Sequence, residues 1–363
     1  RTADIDDPRE ESTGWLFEGE GENLLLQSST QQTAPWVINA LSATLVSGNS
    51  LAPDDTLTAE LYDDTSVTDA QYTRQDLTGT FNAHVVGSAH LKAGTSSIFG
   101  IRIAVFGGTT IFTDAVFDSV AKVFLNTPPT GITFDYEEVG NGWFRLIMVV
   151  DCTGLNNTGV DFRCYPCNPL DVSDIGTSYI WGAQFEISPF ATSYIATEAT
   201  AITRSDDNVS LPVQGNFRMS EGCISLKASI NGNTGGNRYV FTISTGSLND
   251  SVYMIITGSG AINIVVRSGG VTVAQIQAPS TMVIGQVYDI AVNYSGDKVE
   301  LFIDGLSVGV DLSIIMPLGL THVQVGAFGL GGAVSAELFG HIKDLRFYDR
   351  NLTIGEIKYL GGV

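Results

Sequence analysis

Period-two alternation of apolar and polar residues runs through much of this chain. In KVELFIDGLSVGV, residues 298–310, Val299, Leu301 and Ile303 fall on one face and Glu300, Phe302 and Asp304 on the other. Such alternation describes an extended strand with one side turned to a core. Asp304-Gly305 then supplies two residues that accept positive φ, which a tight hairpin turn requires. Leu306, Val308 and Val310 carry the alternation onto the return strand. Similar short segments rich in Val, Ile, Thr and Ser recur along the sequence, punctuated by 40 glycines. Helical signals are confined to TIGEIKYLGG near the C-terminus. There Thr353 is an N-cap, Glu356 completes a capping box and Gly361 is a stop. The pattern predicts an all-β protein of antiparallel β-sandwiches with one short C-terminal helix. Helix content should fall below about 10%, against a usual ~30%.

At 363 residues the chain exceeds the size at which one core usually suffices, so two domains are expected. The polar stretch TEATAITRSDDNVSLPVQGN reads as a linker and places the boundary near Arg204. The first residues, RTADIDDPREESTG, are charged and aperiodic, an arm rather than core. The expected division is therefore an arm over 1–15, a first sandwich over 16–203 and a second over 204–363. The sequence does not begin with Met and shows no signal peptide, so it reads as processed or as part of something longer. The longest apolar run, around Leu146–Val150, is far short of the ~20 residues a membrane helix needs, and no membrane insertion is expected.

Charge narrows the partners. The 39 acidic and 18 basic residues leave a net charge of −21. That field repels phosphate backbones, anionic membranes and, unless a cation bridges, acidic polysaccharides. Nucleic acid is not an expected partner. Four cysteines do not make a disulfide scaffold, and the C-x-x-C at Cys164–Cys167 has no second pair, so reduced, metal-free thiols are expected. His84 and His90 could share a strand face, but no third metal ligand accompanies them. Catalytic patterns are missing. There is no E-x-D-x-x-E, G-x-S-x-G or H-E-x-x-H, and the acidic cluster DYEEVG at Asp135–Gly140 reads as a solvated turn. The Gly-rich NGNTGGNRY at 231–239 combines amide, guanidinium and ring, so Asn237, Arg238 and Tyr239 are candidate glycan contacts, or an ordinary hairpin end.

Longer segments carry a resemblance. YIWGAQFEISPFATSYIATEATAITRSDDNVSL resembles a segment of bacteriophage tail-fibre and other minor virion proteins, where it closes a jelly roll similar to carbohydrate-binding modules. DIDDPREESTGWLFEGEGENLLLQSS, APDDTLTAELYDDTS, HLKAGTSS and VGNGWFRLIMVV are similar to the entry, loop and central-strand segments of the same family, in order. The match spans nearly all of residues 4–210. The entry segment departs from the family in GWLFEGE, where Trp15 and Phe17 replace aliphatic residues. GCISLKASI, GQVYDIAVNYSGDKVELFIDGLSVG and GHIKDLRFYDRNLTIGEIKYL resemble the laminin-G-like, concanavalin A-like sandwich.

The resemblance implies two tandem jelly rolls and a non-enzymatic virion structural protein of a fibre, spike or appendage, assembled in the bacterial cytoplasm. It would attach to a host-surface glycan. A purely structural or decoration component and a polysaccharide-degrading enzyme are the competing classes, the latter disfavoured by the missing carboxylate pair. It also implies a homo-oligomer, as a trimer, with the N-terminal arm contacting other virion proteins. Trp143 and Trp181 lie in the family's structural motifs and are assigned to packing. A structural Ca²⁺ would draw on Asp54, Asp55, Asp63 and Asp64, which supply hard oxygen ligands near a loop.

Overall fold

The computed structural model describes residues 9–11, 13–39, 46–207, 209–232, 235–329 and 337–361. It is 53% strand and 2% helical, and its strand pairs are antiparallel. The chain forms two compact units, Gly21–Arg204 and, around it in sequence, Asp4–Glu20 with Ser205–Val363.

The first unit is a jelly-roll sandwich of two six-stranded sheets. One has the order Val123–Phe124, Ile111–Asp118, Ile98–Phe106, Asn157–Tyr165, Thr73–Phe81, Val37–Ile38. The other runs Ile132–Gly140, Trp143–Asp151, His84–Ala93, Gly176–Glu186, Ala59–Asp64, Val46–Ser50. Alternate residues fill the space between them: Ile101, Ile103, Val105 and Phe162 from the first sheet, Val85, Leu91, Leu146 and Met148 from the second. The sheets approach so closely at Gly87 that a Cβ there would lie 2.5 Å from the Phe162 ring. DYEEVG is part of the edge strand Ile132–Gly140 rather than a turn, with Glu138 paired to Lys122 at 2.8 Å.

The second unit is a seven-stranded sheet facing a six-stranded one. The seven-stranded order is Arg9–Glu11, Gly14–Phe17, Gly340–Tyr348, Glu221–Ile230, Tyr288–Ser295, Val299–Ile303, Leu306–Asp311. Val209–Pro212, His322–Val325, Arg238–Ser244, Ser251–Ile256, Ala261–Ser268 and Val271–Thr281 make the other. The hairpin forms at Asp304 (φ 49°) and Gly305 (φ 75°), and Val299, Leu301 and Ile303 enter the core. Phe302 departs from the alternation. It is buried on the opposite face with Cys223, Ala291 and Ile357, because the helix Ile354–Leu360 covers that side of the sheet. On the return strand a register shift opposite Leu301/Phe302 leaves Leu306 and Val310 exposed. The helix has the capping box read from the sequence: the Thr353 hydroxyl accepts from the Glu356 N–H, and the Glu356 carboxylate accepts from the Thr353 N–H. Arg350 also clasps Glu356 and, with those bonds, holds its carboxyl down at about 2.

The N-terminal segment differs from the expected arm. Residues 9–11 and 14–17 are strands of the second unit's sheet, with Trp15 opposite Ile342, Leu16 opposite His341 and Phe17 opposite Gly340. His341 Nε2 and Glu11 Oε2 lie 2.9 Å apart. Apolar Leu16 and Phe17 drive this pairing, since both are buried and Phe17 belongs to the second unit's core. Residues 9–11 and Gly14 of the expected arm therefore pair within this chain, while residues 1–8 and 12 lie outside the described residues. Among the described residues the chain passes between the units after Glu20 and again after Arg204. Gly21–Asn23 pairs with Ile202–Arg204 in the first unit, and Glu18 exchanges hydrogen bonds with Asp207 in the second.

Candidate functional site

The residues singled out from sequence do not converge. The Arg238 guanidinium is inside the second sandwich, 1% exposed, and donates to the Gly232 carbonyl; strand alternation turns it inward. Tyr239 packs at a tilt against Tyr253 and Phe328, leaving Asn237 as the exposed member of the three. The rest of that loop includes residues 233–234, outside the described residues. Asp54 closes a local turn by accepting from the Thr56 N–H and hydroxyl, and Asp55 sits at φ 65° beside it. Asp64 is buried, both carboxylate oxygens taken by the N–H groups of Ser66 and Gln71, while Asp63 lies half-buried one position earlier on the strand. No group of three or more His, Cys, Asp or Glu able to hold a metal occurs among the described residues. The four thiols are buried and free, and burial pushes Cys164, Cys167 and Cys223 up to about 12. His90 is enclosed by Trp181 and Tyr194, and burial drives it down to about 3, whereas His84 pairs loosely with Asp151 at 3.7 Å.

The TSYIWGAQFEISPFATSYI stretch is a buried scaffold. Gly182 adopts φ +60° at a register shift between Trp181 and Gln184, which frees nearby backbone groups from the ladder. Asn23 and Ser28 satisfy them: Asn23 Nδ2 donates to the Ala183 and Ile195 carbonyls, its Oδ1 accepts from the Phe185 and Leu25 N–H groups, and the Ser28 carbonyl accepts from Ala183. Gln184, Glu186, Thr192 and Arg145 form a second buried network. Trp143 and Trp181 are both packed, each indole N–H bonded, to the Leu51 carbonyl and the Thr58 hydroxyl.

An open groove of about 370 Å³ lies on the helix-covered side of the second unit's seven-stranded sheet. Its floor is the strand residues Ser225, Lys227, Asp289 and Ala291, and its wall is the end of the helix with Tyr359. Register places Lys227 opposite Asp289, and the ammonium sits 2.5 Å from the carboxylate. On the other side, one extra residue in the strand Gly340–Tyr348 makes a bulge opposite Ser225/Lys227. Asp344 occupies it at φ 54°, a left-handed conformation a non-glycine adopts at a cost, and pairs with Arg346 at 3.4 Å. Bulges re-aim side chains, and here the result is two carboxylates and two cations around one opening. Solvated ion pairs contribute only ~0–1 kcal/mol to stability, so these are better read by what they present: fixed donors and acceptors beside an aromatic ring. Tyr359 is 85% exposed. The signals for this groove were in the sequence. Lys227 is the charged member of the polar phase of CISLKASI, between Ser225 and Ser229, and Tyr359 lies two residues after the buried Ile357, so it must point outward. What was not readable is that both line one groove.

Residues 203–358 match the family model of the concanavalin A-like lectin/glucanases superfamily. The second unit has the laminin-G-like, concanavalin A-like lectin fold. No curated protein sequence matches the chain. Among solved structures, the CBM40 module of the Ruminococcus gnavus IT-sialidase, bound to alpha2,3 sialyllactose, is 16% identical over 40% of this chain and 84% of that chain, with a TM-score of 0.36. Domain 4 of a GH43 extracellular arabinanase from Geobacillus stearothermophilus, in complex with arabinotriose, is 14% identical over 48% and 83%, TM-score 0.34. The carbohydrate-binding module CBM66 from Bacillus subtilis is 12% identical over 44% and 92%, TM-score 0.28.

Proposed function

We propose that this chain is a non-enzymatic glycan-binding protein whose second unit takes saccharide in the groove beside Tyr359. The observation that carries this reading is the groove itself: an exposed tyrosine lining the same opening as two acid–base pairs, in a unit matched by the family model of the concanavalin A-like lectin/glucanases superfamily. A ring offers an apolar face to sugar C–H groups, and the carboxylates and cations offer partners for hydroxyls. Glycoside cleavage needs one carboxyl as acid and a second as base or nucleophile. Asp289 and Asp344 are each tied to a cation, an arrangement that favours holding a ligand over cleaving it. The test is to offer the full chain an array of bacterial O-antigen and capsule oligosaccharides, then measure the bound members by calorimetry. Tyr359→Ala should weaken binding by about tenfold or more, ~1.4 kcal/mol, with unchanged thermal unfolding. Binding that survives Tyr359→Ala undiminished, or an array with no bound member, would sink the assignment.

The virion setting is part of the same proposal and rests on the resemblance of residues 4–210 to phage fibre and minor virion segments. A trimer follows from avidity: linking three weak sites raises apparent affinity by roughly 10² or more without new contacts. Because residues 9–11 and 14–17 are strands of the second unit's sheet, the contact with other virion proteins is assigned to residues 1–8. Deleting those eight while keeping Arg9 onward should reduce the trimer to monomers by light scattering and prevent incorporation into particles. A truncated chain that keeps both trimeric mass and incorporation refutes the anchor.

A further inference from the structure

The outward face of one sheet in the first unit carries an arrangement that folding alone does not explain. The strands Ile98–Phe106, Asn157–Tyr165 and Thr73–Phe81 are neighbours. Ile103, Val105 and Phe162 point to the core, so Arg102, Arg163 and Arg74 point away from it. Register puts these three directly beside one another: Arg163 is opposite Arg102 on one side and Arg74 on the other. In the next row Asp161 is opposite Asp76. Register also sets Asp114 against Arg102 on its far side, so the row runs Asp114, Arg102, Arg163, Arg74; like charges directly across a strand pair destabilise a sheet, and two such Arg–Arg pairs remain. In a chain with 18 basic residues and a net charge of −21, three arginines in one row stand out further.

The guanidinium groups are held in place. Asp114 takes the Nε and Nη2 of Arg102 at 2.7 Å each. Asp161 takes the Nε and Nη2 of Arg163 at 2.8 and 2.5 Å and reaches Arg74 at 4.0 Å. Tyr72 lies under the Arg163 guanidinium at 4.2 Å, and Arg102 lies between the rings of Phe112 and Tyr165. These pairs use the Nε and Nη2 of each guanidinium and not the Nη1, and Arg163 also hydrogen-bonds the Tyr165 side chain. Next to the row, Phe112 is 66% exposed, on the same face as the exposed Phe106. The face therefore offers preset N–H donors, local charge close to balance, and an apolar ring beside them.

We propose that this face is a second binding site, for saccharides that carry a carboxylate. Arg102 and Arg163 would receive the carboxylate through their outward N–H groups, and Phe112 would pack against the sugar ring. Planar, oriented guanidinium groups suit a carboxylate's two oxygens, and the ordering has already been done by Asp114, Asp161 and Tyr72. The site runs against the overall negative field, so binding rests on this local geometry and not on long-range attraction. The proposal borrows from the reading of the second unit only the saccharide class of ligand, and it uses a different unit.

Calorimetry on the full chain tests it, with trigalacturonate, a hyaluronan tetrasaccharide and sialyllactose as probes, each beside its uncharged counterpart (the methyl ester, or lactose). At least one acidic probe should bind at least about tenfold more tightly than its counterpart. Arg163→Lys keeps the charge and loses the fork, and should weaken binding about tenfold. Phe112→Ala removes an exposed ring without disturbing the core and should weaken it several-fold. Tyr359→Ala should leave it unchanged, which separates this site from the second unit's groove. The proposal fails if no acidic probe is preferred, if Arg163→Lys and Phe112→Ala both bind as the parent does, or if Tyr359→Ala abolishes binding of the acidic probe.

Discussion

Phe17→Ala should destabilise the second unit by about 3–5 kcal/mol, the range for removing a large aromatic from a packed core. Phe17 precedes the first unit in sequence, yet its ring belongs to the second unit's core and packs over Gly326, where even a methyl group would overlap it. Gly326 also has φ +76°, so its backbone and the ring need each other's shape. Leu16, on the opposite face of the strand, is also buried, whereas Trp15, on the same face as Phe17, is about half exposed. Trp15→Ala is therefore the control and should cost no more than about 1 kcal/mol. Denaturant unfolding of a two-unit protein is read as two transitions, since a single two-state fit is not licensed. The transition of the second unit should move in Phe17→Ala and stay in Trp15→Ala. Equal small shifts in the two variants would show that residues 14–17 do not belong to that core.

Asn23→Leu should be the most damaging single change in the first unit, at about 4 kcal/mol or more. The side chain is fully buried and makes four hydrogen bonds, two as donor and two as acceptor, which is nearly the full capacity of an amide. Leucine matches the volume but leaves two carbonyls and two N–H groups without partners, and each buried orphan costs ~1–3 kcal/mol. The groups are shared, so the sum is not additive, but a loss of this size is a large part of a domain's usual 5–15 kcal/mol. Far-ultraviolet circular dichroism through a urea titration gives the shift, and hydrogen exchange at Phe185 and Leu25 locates it. Exchange protection at those two amides equal to that of the parent would remove Asn23 from this role.

Local rules were legible in the residue order because they depend on nearest neighbours in the chain. The hairpin at Asp304-Gly305 followed from two residues tolerant of positive φ between alternating segments. The helix followed from Thr353, Glu356 and Gly361. Asn23 and the WGAQFE stretch were visible as motifs, but their role was not, because the carbonyls Asn23 serves come from about 160 and 172 residues away. The expected glycan contact at Arg238 illustrates the same limit. Its neighbours are polar and Gly-rich, yet the strand phase that begins there turns the guanidinium inward.

What the sequence by itself determined is the fold class, the capped C-terminal helix and the strong negative charge, all properties of short periodicity or of simple sums, while the packing role of Trp143 and Trp181 came from the resemblance of their segments to a known family. Tertiary structure alone decided which sheet residues 9–11 and 14–17 complete, how the Asp344 bulge and Tyr359 line a groove, and that Arg74, Arg102 and Arg163 stand in one row. Each of these depends on register between strands distant in sequence. Register is set by how whole faces pack, since a slip of one residue exchanges buried and exposed sides all along a strand. No window of the sequence contains that information, because the competing registers share the same local pattern and differ only in the packing of the complete sandwich.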